Sequence, residues 1–183
     1  GAVARKIARR LAAGERGVKR VTPHLVRKLL GRPGIRPERA NSSDEVGVAT
    51  GMYYTPRGGD IMFVEASIRR LYEASTSQPV CKPVGCGQVS LIMTGHLGEV
   101  MQESARAALT YATARSDELD IAEDLLGSLE VHVHVPAGAV PKDGPSAGVA
   151  MATSIVSALT RRPVRRDVAM TGEITLRGRV LPI

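Results

Sequence analysis

The apolar positions of this chain change period several times, and each change marks an element. Residues 129–135, Leu-Glu-Val-His-Val-His-Val, alternate strictly. Val131, Val133 and Val135 therefore share one face of a strand, and His132 and His134 share the other. Residues 149–159 are apolar almost all round, the pattern of a buried helix. A second main helix opens after Thr94-Gly95 and runs to about Arg115, with Leu97, Val100, Met101, Ala105, Ala108 and Leu109 on its apolar face. Residues 46–54 and 60–68 are β-rich and flank Thr55-Pro56-Arg57-Gly58-Gly59, which signals a hairpin. Residues 89–93 make a further short strand. Arg161-Arg162-Pro163 ends the buried helix. Beyond it, residues 164–171 and 173–181 read as a β-rich pair turning at Arg177-Gly178-Arg179.

The N-terminal part follows another pattern. Residues 2–13 mix small apolar and basic residues at helical spacing, with Val3, Ile7 and Leu11 on one stripe. Thr22-Pro23 supplies an N-cap and a first-turn proline, and Gly31 a stop, so residues 23–30 form a second short helix. Residues 32–44 carry Pro33, Gly34, Pro37 and Asn41 and read as a linker. The expected organisation is a helical piece over 1–31, a linker over 32–45 and an α+β domain over 46–183. That domain is a mixed sheet of short strands with two main packed helices. A chain of 183 residues is long enough to bury a real core. With no Trp and a single Phe, Phe63, that core must be mostly aliphatic. No apolar run reaches membrane-span length, so no membrane partner is expected.

Charge sharpens the division. The net charge is +7, but residues 1–40 hold 12 Lys/Arg and 2 Glu while residues 41–183 hold 13 basic and 16 acidic residues. The basic segment is either a solvated face of helices from a larger domain or a nucleic-acid contact. No zinc-finger spacing, RNP motif or aromatic series accompanies it. Cys81 and Cys86 form a C-x₄-C pair without two further partners, which is not a zinc site; free thiols in a reducing compartment fit better than a disulfide framework. No signal-peptide pattern follows Gly1, and the abrupt start suggests a piece of something longer.

The candidate chemistry lies in Pro141-Lys142-Asp143-Gly144-Pro145-Ser146-Ala147-Gly148, directly before the buried helix. A helix N-terminus presents unpaired N–H groups and a partial positive charge, which lowers the cost of an alkoxide or oxyanion nearby. Ser146 is thus a candidate nucleophile; it could equally cap the helix. Gly144-Pro145-Ser146-Ala147-Gly148 also fits G-x-S-x-G, but the preceding strand ends ten residues before the serine, too far for a nucleophile elbow. A glycine-rich phosphate cradle, as in a small-molecule kinase, is a further alternative, although no P-loop motif is present. His132 or His134 could act as base with Asp143 orienting, a Ser-His-Asp arrangement. Two histidines at i, i+2 could also touch a metal, but no third ligand is evident and no metal is expected.

Pro-Lys-Asp-Gly-Pro-Ser-Ala-Gly, together with Met170-Thr171-Gly172-Glu173-Ile174-Thr175-Leu176-Arg177-Gly178 and residues 94–105, resembles the proteolytic domain of the Lon family of ATP-dependent proteases. The resemblance covers residues 46–183 strongly and 1–45 weakly. It implies a serine endopeptidase that degrades misfolded and regulatory proteins and works as a homohexameric ring. Residues 1–31 would then be the end of the AAA+ small helical subdomain. ATP and magnesium belong to the ATPase of the parent protein, and no cofactor is expected in this chain. Ser146 matches the family nucleophile. Thr171 matches a family threonine near the catalytic pair, the acidic position of Glu99 lies close to the family's active site, and Asp143 is a further supporting residue. A connection as long as residues 69–88 is more like mitochondrial members, so the expected location is the mitochondrial matrix, with bacterial cytoplasm as the alternative.

The family's base is a lysine roughly forty residues after the serine, its pKa lowered by desolvation. This chain stops at Leu181-Pro182-Ile183, 37 residues after Ser146, and no residue matches that lysine. Lys142 precedes Ser146 by four positions through a non-helical stretch and does not take its place. The expectation is a proteolytic domain truncated at its C-terminus and inactive alone.

Overall fold

Gly47 divides the first β-rich run in two. Its φ is +78°, and a Cβ there would lie 2.3 Å from the Ala66 carbonyl oxygen, so only glycine fits. The result is a two-residue strand β1 (Glu45–Val46) and then β2 (Val48–Thr55). The computed structural model describes residues 1–15, 20–31, 42–55, 58–71, 88–122, 125–126, 128–136 and 142–183. Cys81, Cys86, the Pro56-Arg57 hairpin tip, most of the connection at 69–88 and most of the linker lie outside the described residues.

The chain clusters into two units, Gly1–Pro37 and Glu38–Ile183, with the division inside the expected linker. In the first unit, α1 spans Ala2–Ala12 and α2 spans Pro23–Leu30. Thr22 caps α2 through its hydroxyl, which accepts from the Leu25 N–H at 3.2 Å, as the Thr-Pro pair predicts. Lys6 Nζ donates to the Leu29 carbonyl, joining the two helices. Only Leu29 is buried in either helix, and Leu11, placed on the apolar stripe, is 51% exposed.

The second unit is α+β. After β2 come β3 (Gly58–Arg70), β4 (Gln88–Thr94), α3 (Glu99–Ala114), β5 (Ser128–His134), α4 (Gly148–Thr160), β6 (Pro163–Val164), β7 (Ala169–Met170), β8 (Glu173–Ile174) and β9 (Val180–Leu181). The main sheet has the order β4-β5-β3-β2-β7. It is mixed: β4 with β5 and β2 with β7 run parallel, while β5 with β3 and β3 with β2 run antiparallel. The β2–β3 hairpin follows its sequence signal, Thr55 opposing Gly58.

Period-two alternation decides what the sheet buries. Val131, Val133 and Val135 are fully buried together with Val64 and Leu129. Met101, Ala105, Ala108 and Ala112 of α3 and Ala150, Met151, Ile155 and Leu159 of α4 complete one core cluster with them. Each large aliphatic side chain buried here contributes about 1.5–3 kcal/mol. Among the described residues the fully buried core holds no aromatic side chain, although Tyr53 and Tyr111 pack against it from partly buried positions. Small residues on α3 let α4 approach closely. Val100, assigned to that face, is instead 42% exposed, because it sits in the first turn beyond the end of the core.

The tail differs from its reading as one β-rich pair. Residues 164–171 split into β6, paired with β1, and β7, paired with β2. The split follows the turn Arg165-Arg166-Asp167, where the Arg165 guanidinium holds the Asp167 carboxylate through two bonds of 3.0 and 2.7 Å. Only β8 and β9 pair with each other, closing at Thr175–Arg179 as the Arg-Gly-Arg signal predicts.

Candidate active site

Ser146 lies in the middle of a single 3-10 turn, Pro145–Ala147, that runs straight into α4. Pro145 fixes the first φ of that turn, and Gly144 before it takes φ +110°. No side chain caps either helical segment, so Ser146 is not an N-cap. Its side chain is half-buried, and among the described residues no hydrogen bond engages its hydroxyl. Its backbone is held instead. The Gly172 N–H donates to the Ser146 carbonyl at 2.9 Å, the Thr171 hydroxyl donates to the same oxygen at 3.3 Å, and the Val149 N–H donates to the Gly172 carbonyl at 3.0 Å. Thr171 thus reaches Ser146 through its backbone.

Two glycines permit this clasp. A Cβ on Gly148 would meet the Ile174 nitrogen at 2.8 Å, and one on Gly172, at φ +149°, would meet Val180 Cγ1 at 2.7 Å. Both lie in stretches singled out in the sequence, yet each glycine is demanded by a contact with another element, Gly148 with Ile174 and Gly172 with Val180, which leaves no local signal.

Asp143 serves α3. Its carboxylate Oδ1 accepts the Met101 N–H at 3.1 Å and the Gly144 N–H at 2.8 Å. It therefore caps α3 from a distant loop, where Gly98 offers no side chain of its own. A Cβ on Gly98 would lie 2.2 Å from Asp143 Cγ, so the glycine makes room for the carboxylate. Glu99 is the first residue of α3 and is exposed, a position where negative charge complements the helix dipole.

The histidines stand elsewhere. His132 and His134 belong to the sheet face opposite the buried valines and the helices. Their rings share the Thr94 hydroxyl, at 2.9 Å from His132 Nε2 and 2.6 Å from His134 Nδ1. With Asp143 committed to α3, the Ser-His-Asp arrangement is not assembled. Among the described residues no group of three or more His, Cys, Asp or Glu is placed to hold a metal. Lys142 is 6% exposed, and its ammonium donates to the Pro136 carbonyl at 2.7 Å. Its own carbonyl accepts the Gly98 N–H at 2.7 Å, so Lys142 and Asp143 together fix the start of α3 beside the serine turn.

Residues 20–183 match the Lon protease (S16) C-terminal proteolytic domain. Among similar curated proteins, Lon protease of Geobacter metallireducens is 52% identical over 183 residues, covering all of this chain and 20% of that protein. Lon protease 1 of Sorangium cellulosum is 56% identical over 186 residues, covering all of this chain and 21% of its own length. Lon protease of Aquifex aeolicus is 53% identical over 182 residues, with the same shares. The chain spans about a fifth of the length of these relatives. They are bacterial, and the expectation of a mitochondrial member finds no support in them. The chain belongs to the Lon protease family, by its match to that family's C-terminal proteolytic domain.

Proposed function

We propose that this chain is the peptidase part of an ATP-dependent serine endopeptidase in which Ser146 is the nucleophile and a lysine is its base. A neutral lysine amine takes the Ser146 proton, and the oxygen attacks the scissile peptide carbonyl. The C–N bond of the tetrahedral intermediate then breaks, the lysine returns the proton to the leaving amine, and water hydrolyses the acyl-enzyme by the same route. The observation that carries this reading is the serine turn, whose backbone is clasped by Thr171 and Gly172 while its hydroxyl serves no cap. A nucleophile held by its own main chain is oriented at no cost to its side chain.

No lysine follows Lys142 in the sequence, and Lys142 itself is committed to the Pro136 carbonyl. The base in this reading lies outside these 183 residues, and the chain alone is inactive. Thr171 steadies the nucleophile, Asp143 fixes α3 beside it, and Glu99 lends negative charge at the same helix end. ATP and magnesium are bound by the parent's ATPase in this reading. The present sequence has no P-loop motif of its own. Residues 1–31 are read as the end of the AAA+ small helical subdomain, a role that suits two helices with almost no core of their own. The substrates are unfolded or damaged protein chains, the working assembly is a homohexamer, and the bacterial relatives favour a bacterial cytoplasm.

The test compares three chains on an unfolded protein and a short peptide. They are this chain, a chain extended through the downstream lysine, and the extended chain with that lysine replaced by Gln. All are checked for folding and assembly. The expected result is cleavage only by the second, lost on Ser146→Ala by several powers of ten. Ser146-dependent cleavage by the 183-residue chain would overturn the lysine assignment.

A further inference from the structure

One strip of chain, residues 162–172, touches both the entry of the second unit and the serine turn. At its near end, the Arg166 N–H donates to Asp44 Oδ1 at 3.0 Å, and the Arg166 guanidinium donates to the Ser42 carbonyl. The Arg165–Asp167 ion pair braces the turn that presents this N–H. The β1–β6 pairing continues the attachment, and the Ser157 hydroxyl bridges the Gly47 N–H to the Arg162 carbonyl. In the middle, β7 is only two residues long and rests on β2 and on the Thr153 hydroxyl, which donates to Met170 Sδ at 3.3 Å. At its far end, Thr171 and Gly172 hold the Ser146 carbonyl.

Between Arg166 and Thr171 lie only four residues. So short a span, anchored by two residues of β7, has little slack in which to absorb a shift at either end. We propose that Asp44 is a positioning residue for Ser146, acting through this strip: its carboxylate fixes Arg166, and thereby the register at which Thr171 and Gly172 meet the serine carbonyl. The inference rests on Ser146 being the nucleophile. Asp44 does not touch the reacting atoms and is exposed, outside the core, so its replacement leaves the fold intact.

The experiment uses the full-length parent enzyme carrying Asp44→Ala, Asp44→Asn or Arg166→Ala. Amide exchange is read by mass spectrometry in peptides covering residues 168–175, in both wild-type and Ser146→Ala backgrounds, so this readout needs no turnover. Peptidase kcat and KM are measured alongside. Asp44→Ala is expected to speed exchange of the Gly172 amide, and to lower kcat, each by about tenfold, with KM unchanged. Asp44→Asn keeps an oxygen acceptor and is expected to restore both. Arg166→Ala retains the N–H to Asp44 and loses only the Ser42 bond, so it is expected to shift both in the same direction by less. Wild-type exchange of the Gly172 amide in Asp44→Ala would overturn the proposal, as would an Asn variant that behaves like Ala. Activity surviving Ser146→Ala would instead remove the nucleophile assignment, and the exchange result separates the two failures.

Discussion

At Gly98, one absent methyl group makes room for a carboxylate that arrives from 45 residues away. Gly98→Ala must displace Asp143, whose Cβ as well as Cγ would be too close, and α3 then loses its cap. We expect a loss of about 1–2 kcal/mol by denaturant unfolding. Asp143→Ala alone should cost about the same, and the double variant little more than either, since both remove one interaction. Additive losses would sever the link. Asp167 offers a test of a different kind. The Arg165 guanidinium beside it holds its carboxyl below the usual carboxylate range, chiefly through their hydrogen bond. Its small contribution to stability is therefore present above the ordinary value and fades as pH falls through the depressed one. An NMR titration should find Asp167 titrating at lower pH than in an Arg165→Ala variant. The pairing of Gly98 with Asp143 could not be read beforehand. The loop around Asp143 could be recognised as chemical from its residues, but the carboxylate's partner is an N–H remote in sequence, and cross-chain geometry has no local pattern.

Helices and long strands were legible because their causes are local. Thr22-Pro23 set the start of α2, strict alternation set β5, and the all-apolar run set α4. The short strands were harder, since a two-residue strand is created by its partner and not by its own composition. Residues 164–171 have the β-branched character of one strand, but the Arg165–Asp167 turn cuts them, and each half takes a different neighbour. Ser157 shows how one such junction is secured. It lies on buried α4, accepts from the Gly47 N–H at 2.9 Å and donates to the Arg162 carbonyl. Ser157→Ala strands that buried N–H, so we expect a loss of about 1–3 kcal/mol. Ser157→Thr keeps the hydroxyl and separates this effect from packing. Equal stability of the Ala variant and wild type in urea would show the junction to be dispensable.

Over the whole molecule, charge and architecture divide near the same place. The +7 total conceals a strongly basic first segment and a remainder of net −3. At pH 7 the full chain should be retained on a cation exchanger, and residues 41–183 should pass through it. Any affinity for duplex DNA should disappear with the first 40 residues and should fall steeply with salt while they are present. DNA binding by residues 41–183 alone would contradict this assignment of the basic character.

The order of the main sheet carries one more consequence. Among the described residues, the outer side of β4 meets no further strand, and β7 covers only Thr50 and Gly51 of β2. Near these borders stand Ile92, Met52 and Tyr54, the last 84% exposed. Unpaired strand borders beside such side chains are templates for intermolecular β-pairing. Held at high concentration in isolation, this protein should convert slowly into thioflavin-binding fibrils. A lysine at Ile92 should lengthen the lag, so that shelf life in the test tube is decided at the rim of the sheet, away from its core.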